Sequence, residues 1–206
     1  MRWLCLLITL GLALTACAPA QAQIPAAAAQ YQRELTRIVQ QEWGMNGRVA
    51  VHAAQIHQES GWRAKVNSPV GAQGLSQFMP STSKWIAEIY SDLGRAAPYS
   101  PTWAMRAQAR YNKWHWQRLR GTANQCEHWA MVLSAYNGGL GWVNRDRRLA
   151  TAADDDAARW FGHVERYTNR ASWAKRENRH YVRRILLELT PRYERAGWQG
   201  GAPCPV

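Results

Sequence analysis

Residues 59–80 of the chain read ESGWRAKVNSPVGAQGLSQFMP and carry its strongest structural signal. They follow an apolar stretch, 49–56, whose length and spacing predict a buried helix that ends near Glu59. Glycines and prolines then interrupt any regular period from 61 to 80, which predicts a loop with at most a small β-hairpin. The sequence therefore places a carboxyl group where a helix ends and an irregular loop begins.

Helical periodicity continues on both sides of this stretch. Apolar side chains recur at helical spacing over residues 31–43. Ser100 is followed by a first-turn proline, and Asn124 stands three residues before Glu127 as in a capping box. These signals, with Ser81 or Thr82 as a further cap and Ser172 as the start of the last long helix, predict helices over about 81–90, 101–120, 124–136 and 172–190. We therefore expect a mostly α fold.

Length and composition indicate one folded unit. A chain of 206 residues buries one ordinary core, and 47% hydrophobic with 19% charged residues is typical of a globular protein. The formal net charge of +12 favours anionic polymers such as nucleic acid, anionic lipid or the bacterial cell wall. A basic surface that serves only solubility is an equally good interpretation of the charge.

The first 16 residues have the pattern of a secretory signal peptide. Arg2 precedes about a dozen mainly apolar residues, too few to cross a bilayer as a finished helix. The next residue, Cys17, ends a lipobox-like sequence, which predicts a lipoprotein acylated at this cysteine. Cleavage after Ala22 or an uncleaved anchor are the alternatives. Residues 17–30 then form a flexible tether, and export argues against a nucleic-acid partner.

Two thiols remain beyond the leader, at Cys126 and Cys204. In an oxidising compartment they suggest a disulfide that pins the C-terminal tail to a helix. Two unpaired cysteines are the alternative.

The sequence contains no pattern typical of a metal site. The six histidines lack an HExxH or comparable spacing, and the aspartates at 154–156 lack the alternation of a calcium loop. Residues 144–160, a basic run followed by these aspartates, favour a solvated surface loop. We expect no metal and no cofactor.

Glu59 is the candidate catalytic residue. A carboxylic acid can protonate a leaving glycosidic oxygen near neutral pH when its surroundings raise its pKa. Most glycosidases use two carboxylates, but the loop after Glu59 offers no second acid until Glu88. On its own, a glutamate at a helix end is more often a surface or capping residue.

The motifs around Glu59 make the catalytic interpretation stronger. They occur in the order ESGW (59–62), Ser68, GAQGLSQFMP (71–80), AYNGG (135–139), and Glu177 with Tyr181. In this order they resemble the soluble-type lytic transglycosylases of lysozyme-like fold, over roughly residues 45–190. The resemblance implies a single helical domain of the goose-type lysozyme kind, over residues 31–200, with a catalytic cleft and a C-terminal tail at 201–206.

The resemblance also implies roles for individual residues. Glu59 is the catalytic acid and base. The residues expected to bind substrate are Ser68, Gln77, Met79, Tyr136, Asn137, Glu177 and Tyr181. Phe78 supplies an apolar wall or packs in the core, and Ser76, where the family usually carries a larger apolar residue, is expected to widen the cleft.

The implied reaction cuts the β-1,4 bond between N-acetylmuramic acid and N-acetylglucosamine in peptidoglycan glycan strands. Glu59 protonates the bridging oxygen, the 2-acetamido group stabilises the charge at C1, and Glu59 then deprotonates the C6 hydroxyl. That hydroxyl attacks C1 and leaves a 1,6-anhydro end. One carboxyl thus serves both steps.

Two other functions remain open at this point. A hydrolytic muramidase would use the same acid with water as nucleophile, and an inactive wall-binding lipoprotein would use none. We expect a monomer exported to the periplasm as an outer-membrane lipoprotein. Housekeeping turnover, assembly of a secretion apparatus and phage lysis all fit this kind of domain.

Overall fold

The computed structural model describes residues 24–204 and is built from helices. Its α-helices are α1 (Gln32–Trp43), α2 (Val49–Ser60), α3 (Pro80–Ile89), α4 (Pro101–Arg118), α5 (Gln125–Gly138), α6 (Leu140–Ala152), α7 (Ser172–Arg183) and α8 (Thr190–Arg195). Short 3-10 helices lie at Ala26–Tyr31, Ser91–Leu93 and Val164–Arg166. The predicted mostly α fold is therefore confirmed. Among the described helices, none is long and apolar enough to cross a membrane.

Two helices form the centre of the molecule. α5 has a continuous buried run through Ala135, and it packs against α4, α6 and α7. α2 is also largely buried and packs against α8. Helices that are apolar on most faces are typical of a core position. A smaller hydrophobic cluster around Phe78 lies beside the main core, and Tyr136 packs against both.

Helix starts follow the predicted chemistry in two of three cases. The Ser100 side chain caps α4, and Asn124 Oδ1 accepts a 3.0 Å hydrogen bond from the Glu127 amide at the start of α5. The Glu127 carboxylate does not complete a capping box, because it accepts instead from the amides of Trp160 and Phe161. α3 begins at Pro80 without a side-chain cap, so the predicted cap at Ser81 or Thr82 is wrong.

The predicted surface loop over 144–160 is wrong for its first half, which belongs to α6. The buried face of this helix consists of Val143, Asp146 and Ala150, at spacings of three and four. Asp146 is fully buried, and its Oδ2 accepts a 2.9 Å hydrogen bond from the guanidinium of Arg179. A charged residue thus occupies a core position that the pattern of charges had assigned to solvent.

The last helix does not end at Thr190 and Pro191. Between α7 and α8 the chain continues as a π-helix, Arg184–Leu189. Proline has no N–H to donate to the preceding turn. Here the turn that precedes Pro191 is the wider π-helical one. The Thr190 hydroxyl donates a 2.7 Å hydrogen bond to the Ile185 carbonyl in the widened turn.

Both chain ends of the described part pack onto the domain. Residues 26–31 form a 3-10 helix with Ala28 fully buried, where a flexible tether was expected up to residue 30. The folded unit therefore begins earlier than position 31. The expected signal peptide, Cys17 and the first part of the tether lie outside the described residues.

At the other end, the C-terminal segment lies against the start of α2. The Gln199 carbonyl accepts from the Ala50 amide, and Arg48 donates to the carbonyls of Gly200 and Gly201. A disulfide joins Cys126, in the first turn of α5, to Cys204. The segment is thus held covalently and by backbone hydrogen bonds.

Candidate active site

A cleft of about 370 Å³ opens at the C-terminal end of α2. Its walls come from the loop after α2, the end of α5 and one face of α7. Glu59 lies in the last turn of α2, and Gly61 ends that helix in the left-handed conformation, with φ of 59°. Glycine adopts this conformation without strain, so the chain can turn sharply beside the carboxyl group.

All the cleft residues expected from the sequence line this one cavity. They are Glu59, Ser68, Gln77, Met79, Tyr136, Asn137, Glu177 and Tyr181. The structure adds Tyr111 and His180, which sequence reasoning missed. A signal for Tyr111 was present, because Trp103, Ala107 and Tyr111 are spaced four residues apart and so share one face of α4.

Burial determines the protonation of Glu59. The pKa of this carboxyl group is raised to about 8: removal from water is the largest cause, the hydrogen bond from Tyr181 acts against it, and the negative charge of Glu177 adds to it. The carboxyl group is therefore largely protonated at neutral pH. This is the state that a general acid needs before it can donate a proton.

Hydrogen bonds fix which oxygen of Glu59 accepts from the protein. The Tyr181 hydroxyl donates to Oε1 over 2.5 Å. That hydroxyl in turn accepts from Gln55 Nε2 over 3.1 Å, so its single proton points to Glu59. Within residues 24–204 no hydrogen bond reaches Glu59 Oε2, and this oxygen is the one that can carry the transferable proton.

The Gln55 amide is itself held by a deeper group. Asn112 Nδ2 donates to Gln55 Oε1 over 2.7 Å, which leaves Gln55 Nε2 to face Tyr181. Gln55 and Asn112 are both fully buried. The Glu59 carboxyl thus ends a chain of hydrogen bonds that begins inside the core, and protein contacts alone hold it in place.

The loop that closes one side of the cleft is fastened by its own side chains. Ser68 Oγ accepts from the Ala72 amide over 2.9 Å, and Gln77 Nε2 donates to the Gly74 carbonyl over 2.8 Å. Gln73 forms isolated antiparallel bridges with two other loop residues. These polar atoms of Ser68 and Gln77 therefore stabilise the conformation of the loop itself.

Gly74 lets the loop approach the segment before α4. Its φ is 71°, and a Cβ at this position would lie 1.8 Å from the Pro98 carbonyl oxygen. Gly71 also has a positive φ, 89°, but a Cβ there would meet nothing within 4 Å. The close contact thus requires glycine at 74, whereas at 71 only the backbone conformation favours it.

Tyr136 joins the loop to the end of α5. Its hydroxyl donates a 2.8 Å hydrogen bond to the Ser76 carbonyl, and its ring lies 5.6 Å from that of Phe78. Phe78 is buried and also lines the cleft. Ser76 is fully buried and donates to the Ala104 carbonyl, so the expectation that it widens the cleft is wrong.

Asn137 has a defined orientation beside the cleft. Its Oδ1 accepts a 2.7 Å hydrogen bond from Asn178 Nδ2, and Asn178 also bonds Ser134 and Arg179 in the core. The Asn137 Nδ2 group is left to donate toward the cavity. Such a donor suits the carbonyl oxygen of an acetamido or peptide group.

The cleft contains one further carboxylate, Glu177. It lies on the exposed face of α7, and within residues 24–204 it forms no ion pair at 4 Å or less. Among these residues, no group of three or more His, Cys, Asp or Glu side chains could hold a metal ion. The described cleft thus holds two carboxyl groups, that of Glu59 with a raised pKa and the exposed one of Glu177.

Comparisons with known sequences support one family. The family model described as Transglycosylase SLT domain matches residues 36–158. Membrane-bound lytic murein transglycosylase F of Marinobacter nauticus is 32% identical over 120 residues, 58% of this chain and 22% of that protein. Soluble lytic murein transglycosylase of Escherichia coli is 47% identical over 45 residues, 22% of this chain and 7% of that protein. The chain thus spans about a fifth or less of these relatives.

Solved structures resemble the fold. The 70 kDa soluble lytic transglycosylase of Escherichia coli has a TM-score of 0.52 and 25% identity, covering 75% of this chain and 22% of that one. An inactive glutamate-to-glutamine mutant of lytic transglycosylase Slt from Pseudomonas aeruginosa has a TM-score of 0.60 and 20% identity, covering 87% and 26%. The solved structures support the fold, and the family model confirms the resemblance that the ordered motifs indicated.

Proposed function

Because the chain belongs to the Transglycosylase SLT domain family, we propose that it is a lytic transglycosylase that cleaves peptidoglycan glycan strands. The observation that carries the proposal is the half-buried carboxyl of Glu59, which has a raised pKa and is held by Tyr181 at the wall of the cleft. The matched relatives are named for activity on murein, which is peptidoglycan. The proposed bond is the β-1,4 link between N-acetylmuramic acid and N-acetylglucosamine.

The first step uses the proton on Glu59 Oε2. It passes to the bridging oxygen as the bond from C1 of N-acetylmuramic acid to that oxygen breaks, and N-acetylglucosamine leaves with a free hydroxyl. The neighbouring 2-acetamido oxygen stabilises the positive charge at C1. Glu59 is now a carboxylate in a site with little water, and the Tyr181 hydroxyl bond stabilises this charged form.

The second step restores the acid. The ionised Glu59 takes the proton of the C6 hydroxyl on the same muramoyl ring, and the C6 oxygen forms a new bond to C1. The product is a 1,6-anhydro end, with no water consumed and Glu59 protonated again. A raised pKa suits both roles, because the group must release and regain one proton near neutral pH.

Glu59→Gln tests this mechanism directly. Glutamine cannot donate or remove the proton, so we expect the release of anhydro-muropeptides from purified peptidoglycan to fall on the order of 10²-fold or more. Mass spectrometry of the products identifies the chemistry, since an anhydro end is one water lighter than a reducing end. Glu88→Gln, which changes an exposed glutamate outside the cleft, is the matched control.

Each other outcome replaces the proposal with a named alternative. Reducing ends from the wild-type protein would identify a hydrolytic muramidase. Clearing by Glu59→Gln at the wild-type rate would remove Glu59 from the mechanism. Wild-type binding to peptidoglycan without any product would leave an inactive wall-binding lipoprotein.

We further propose that the protein works in the cell envelope as a monomer. The basis for this location is the sequence of residues 1–16 and the lipobox-like Cys17. Lipid attachment is measured by the mass of the intact protein from cells, compared with a Cys17→Ser variant. A wild-type mass without the added lipid would instead indicate that the protein is secreted without an anchor or that it keeps its leader.

A further inference from the structure

A second cavity, of about 410 Å³, lies away from the catalytic cleft. It is lined by the turn between α1 and α2, the second half of α4 and the first turns of α5. The lining residues that matter here are Arg48, Lys113, Arg120, Trp43, Trp116 and Trp129. The cavity therefore combines cations with indole rings.

The two cavities lie at opposite ends of the same helices. Arg48 precedes the first turn of α2, and Glu59 lies in its last turn. At 1.5 Å per residue, these positions are roughly 16 Å apart along the helix axis. α5 likewise presents Trp129 to one cavity and Tyr136 to the other. A ligand in the second cavity is thus outside the catalytic cleft, on a rigid connection to it.

The positive charge of this cavity is not neutralised by its own walls. No Asp or Glu lines it, and within residues 24–204 none of its three cations forms an ion pair at 4 Å or less. Arg48 donates to the neutral Gln125 side chain and to the carbonyls of Gly200 and Gly201. Arg120 is exposed to solvent.

The neighbouring carboxylates are engaged elsewhere. The negative charge of Glu194 interacts electrostatically with Arg48, but Glu194 Oε2 accepts its hydrogen bond from the Ala202 amide. Glu42 lies near Lys113, whose ammonium donates to the Glu42 backbone carbonyl. The Glu42 carboxylate accepts from Arg110 Nε instead. The cavity therefore offers cationic donors to an external anion.

The indole rings give the cavity an apolar wall. Trp43, Trp116 and Trp129 form one cluster, with ring centroids 5.1 to 5.6 Å apart. Trp43 and Trp116 are only half-buried, so part of each ring borders the open space. Indoles with one apolar and one wet side are common in binding surfaces, and a sugar ring presents C–H groups that pack on such a wall.

We infer that this cavity is a second peptidoglycan-binding site that takes a muramoyl sugar with its peptide carboxylate. The guanidinium groups of Arg48 and Arg120 bind the carboxylate, and the indole wall accepts the sugar ring. The choice of ligand rests on the proposed function. Binding here tethers the domain to wall material while the catalytic cleft works on a strand about one helix length away.

The test is a titration of the Glu59→Gln variant with N-acetylmuramoyl dipeptide. Binding is monitored by the NMR signal of the Trp116 indole N–H. We expect this signal to shift and saturate. We expect Arg120→Glu to raise the dissociation constant about tenfold, because a charge-assisted hydrogen bond is replaced by repulsion. Arg120 is exposed, so the substitution leaves the fold intact.

Matched controls separate this site from general attraction to a basic protein. Arg195→Glu makes the same charge change at an exposed position that lines neither cavity, and should leave the dissociation constant within about twofold. Trp116→Ala should also weaken binding. In this variant, binding is monitored by the NMR signal of the Trp43 indole N–H, and an unchanged melting temperature shows that the fold is intact. The neutral N-acetylglucosamine tetramer, which offers sugar rings but no carboxylate, should shift the Trp116 signal much less at the same concentration.

Three results would overturn the inference: no shift at Trp116, equal effects of Arg120→Glu and Arg195→Glu, or an equal shift with the neutral tetramer. None depends on turnover. Failure of the proposed function would instead appear as missing anhydro products from the wild-type protein, with or without the Trp116 shift.

Discussion

At Glu59, two neighbours act on one carboxyl group in opposite directions. Burial is the largest cause of its raised pKa, the negative charge of Glu177 raises the pKa further, and the hydrogen bond from Tyr181 lowers it, with a net pKa of about 8. The first step of the proposed reaction needs the protonated form. We therefore expect the rate of anhydro-product release to fall as the pH rises through about 8.

This fall in rate at high pH is the alkaline limb of the pH profile. Variants at the two neighbours should move the limb in opposite directions. Tyr181→Phe removes the stabilising bond to the carboxylate, so the limb should move to higher pH. Glu177→Gln removes a repelling charge, so the limb should move to lower pH. The measurement is the pH dependence of kcat/KM on a soluble glycan fragment.

Tyr167→Phe and Glu88→Gln are the matched controls, because both side chains lie outside the cleft. They should leave the limb in place. Shifts of the same sign for Tyr181→Phe and Glu177→Gln would mean that the limb does not report Glu59.

At the residue scale, sequence reasoning identified the members of the cleft better than their contacts. Glu59 and Tyr181 could be assigned because ordered motifs preserve which residues share a site. The engagement of Ser68 and Gln77 by loop backbone could not, since either polar side chain bonds protein or ligand equally well. Gln55 and Asn112 gave no signal either, because polar residues inside an apolar helix pattern do not reveal their partners.

At the element scale, the widened turn before Pro191 depends on one hydroxyl group. Thr190→Val keeps the shape of the side chain but removes the donor to the buried Ile185 carbonyl. We expect the free energy of unfolding to fall by about 1 to 3 kcal/mol, the cost of a buried acceptor without a partner. Denaturant titration followed by circular dichroism measures this change.

Thr151→Val is the matched control for this prediction. Its hydroxyl makes the same kind of bond, to the Arg147 carbonyl, but it is exposed and water can replace it. The change should stay within about 0.5 kcal/mol. Equal losses for the two variants would show that the π-turn does not depend on Thr190.

The elements that sequence reasoning missed share a physical cause. Periodicity predicts a helix when its buried face is apolar, but α6 buries Asp146 against Arg179 on a helix distant in sequence. Proline usually ends a helix, yet here tertiary packing holds Pro191 in a buried position and the turn widens around it. In both places long-range contacts override a local rule.

At the scale of the whole molecule, the disulfide closes a long loop. Cys126 and Cys204 are 78 residues apart, and the loop between them contains most of α5 and all of α6, α7 and α8. A cross-link stabilises mainly by restricting the unfolded chain. We expect reduction to lower the free energy of unfolding by about 2 to 4 kcal/mol, measured by denaturant titration with and without reductant.

A variant with both Cys126→Ser and Cys204→Ser should match the reduced wild-type protein, and reductant should not change it further. Equal stability of the oxidised and reduced wild-type proteins would show that the bond does not restrict the unfolded chain.

The close fit of Gly74 against Pro98 divides the cleft loop into positions that can vary and one that cannot. Val70, at the rim, is 76% exposed, and its side chain can be exchanged without moving the backbone. Position 74 admits no side chain at all. Substitutions at the rim can therefore change the surface of the cleft while the backbone of the loop keeps its place, whereas any larger residue at position 74 would displace the loop. The shape of the loop and the chemistry of its rim are in this way set at separate positions, although both belong to residues 61–79.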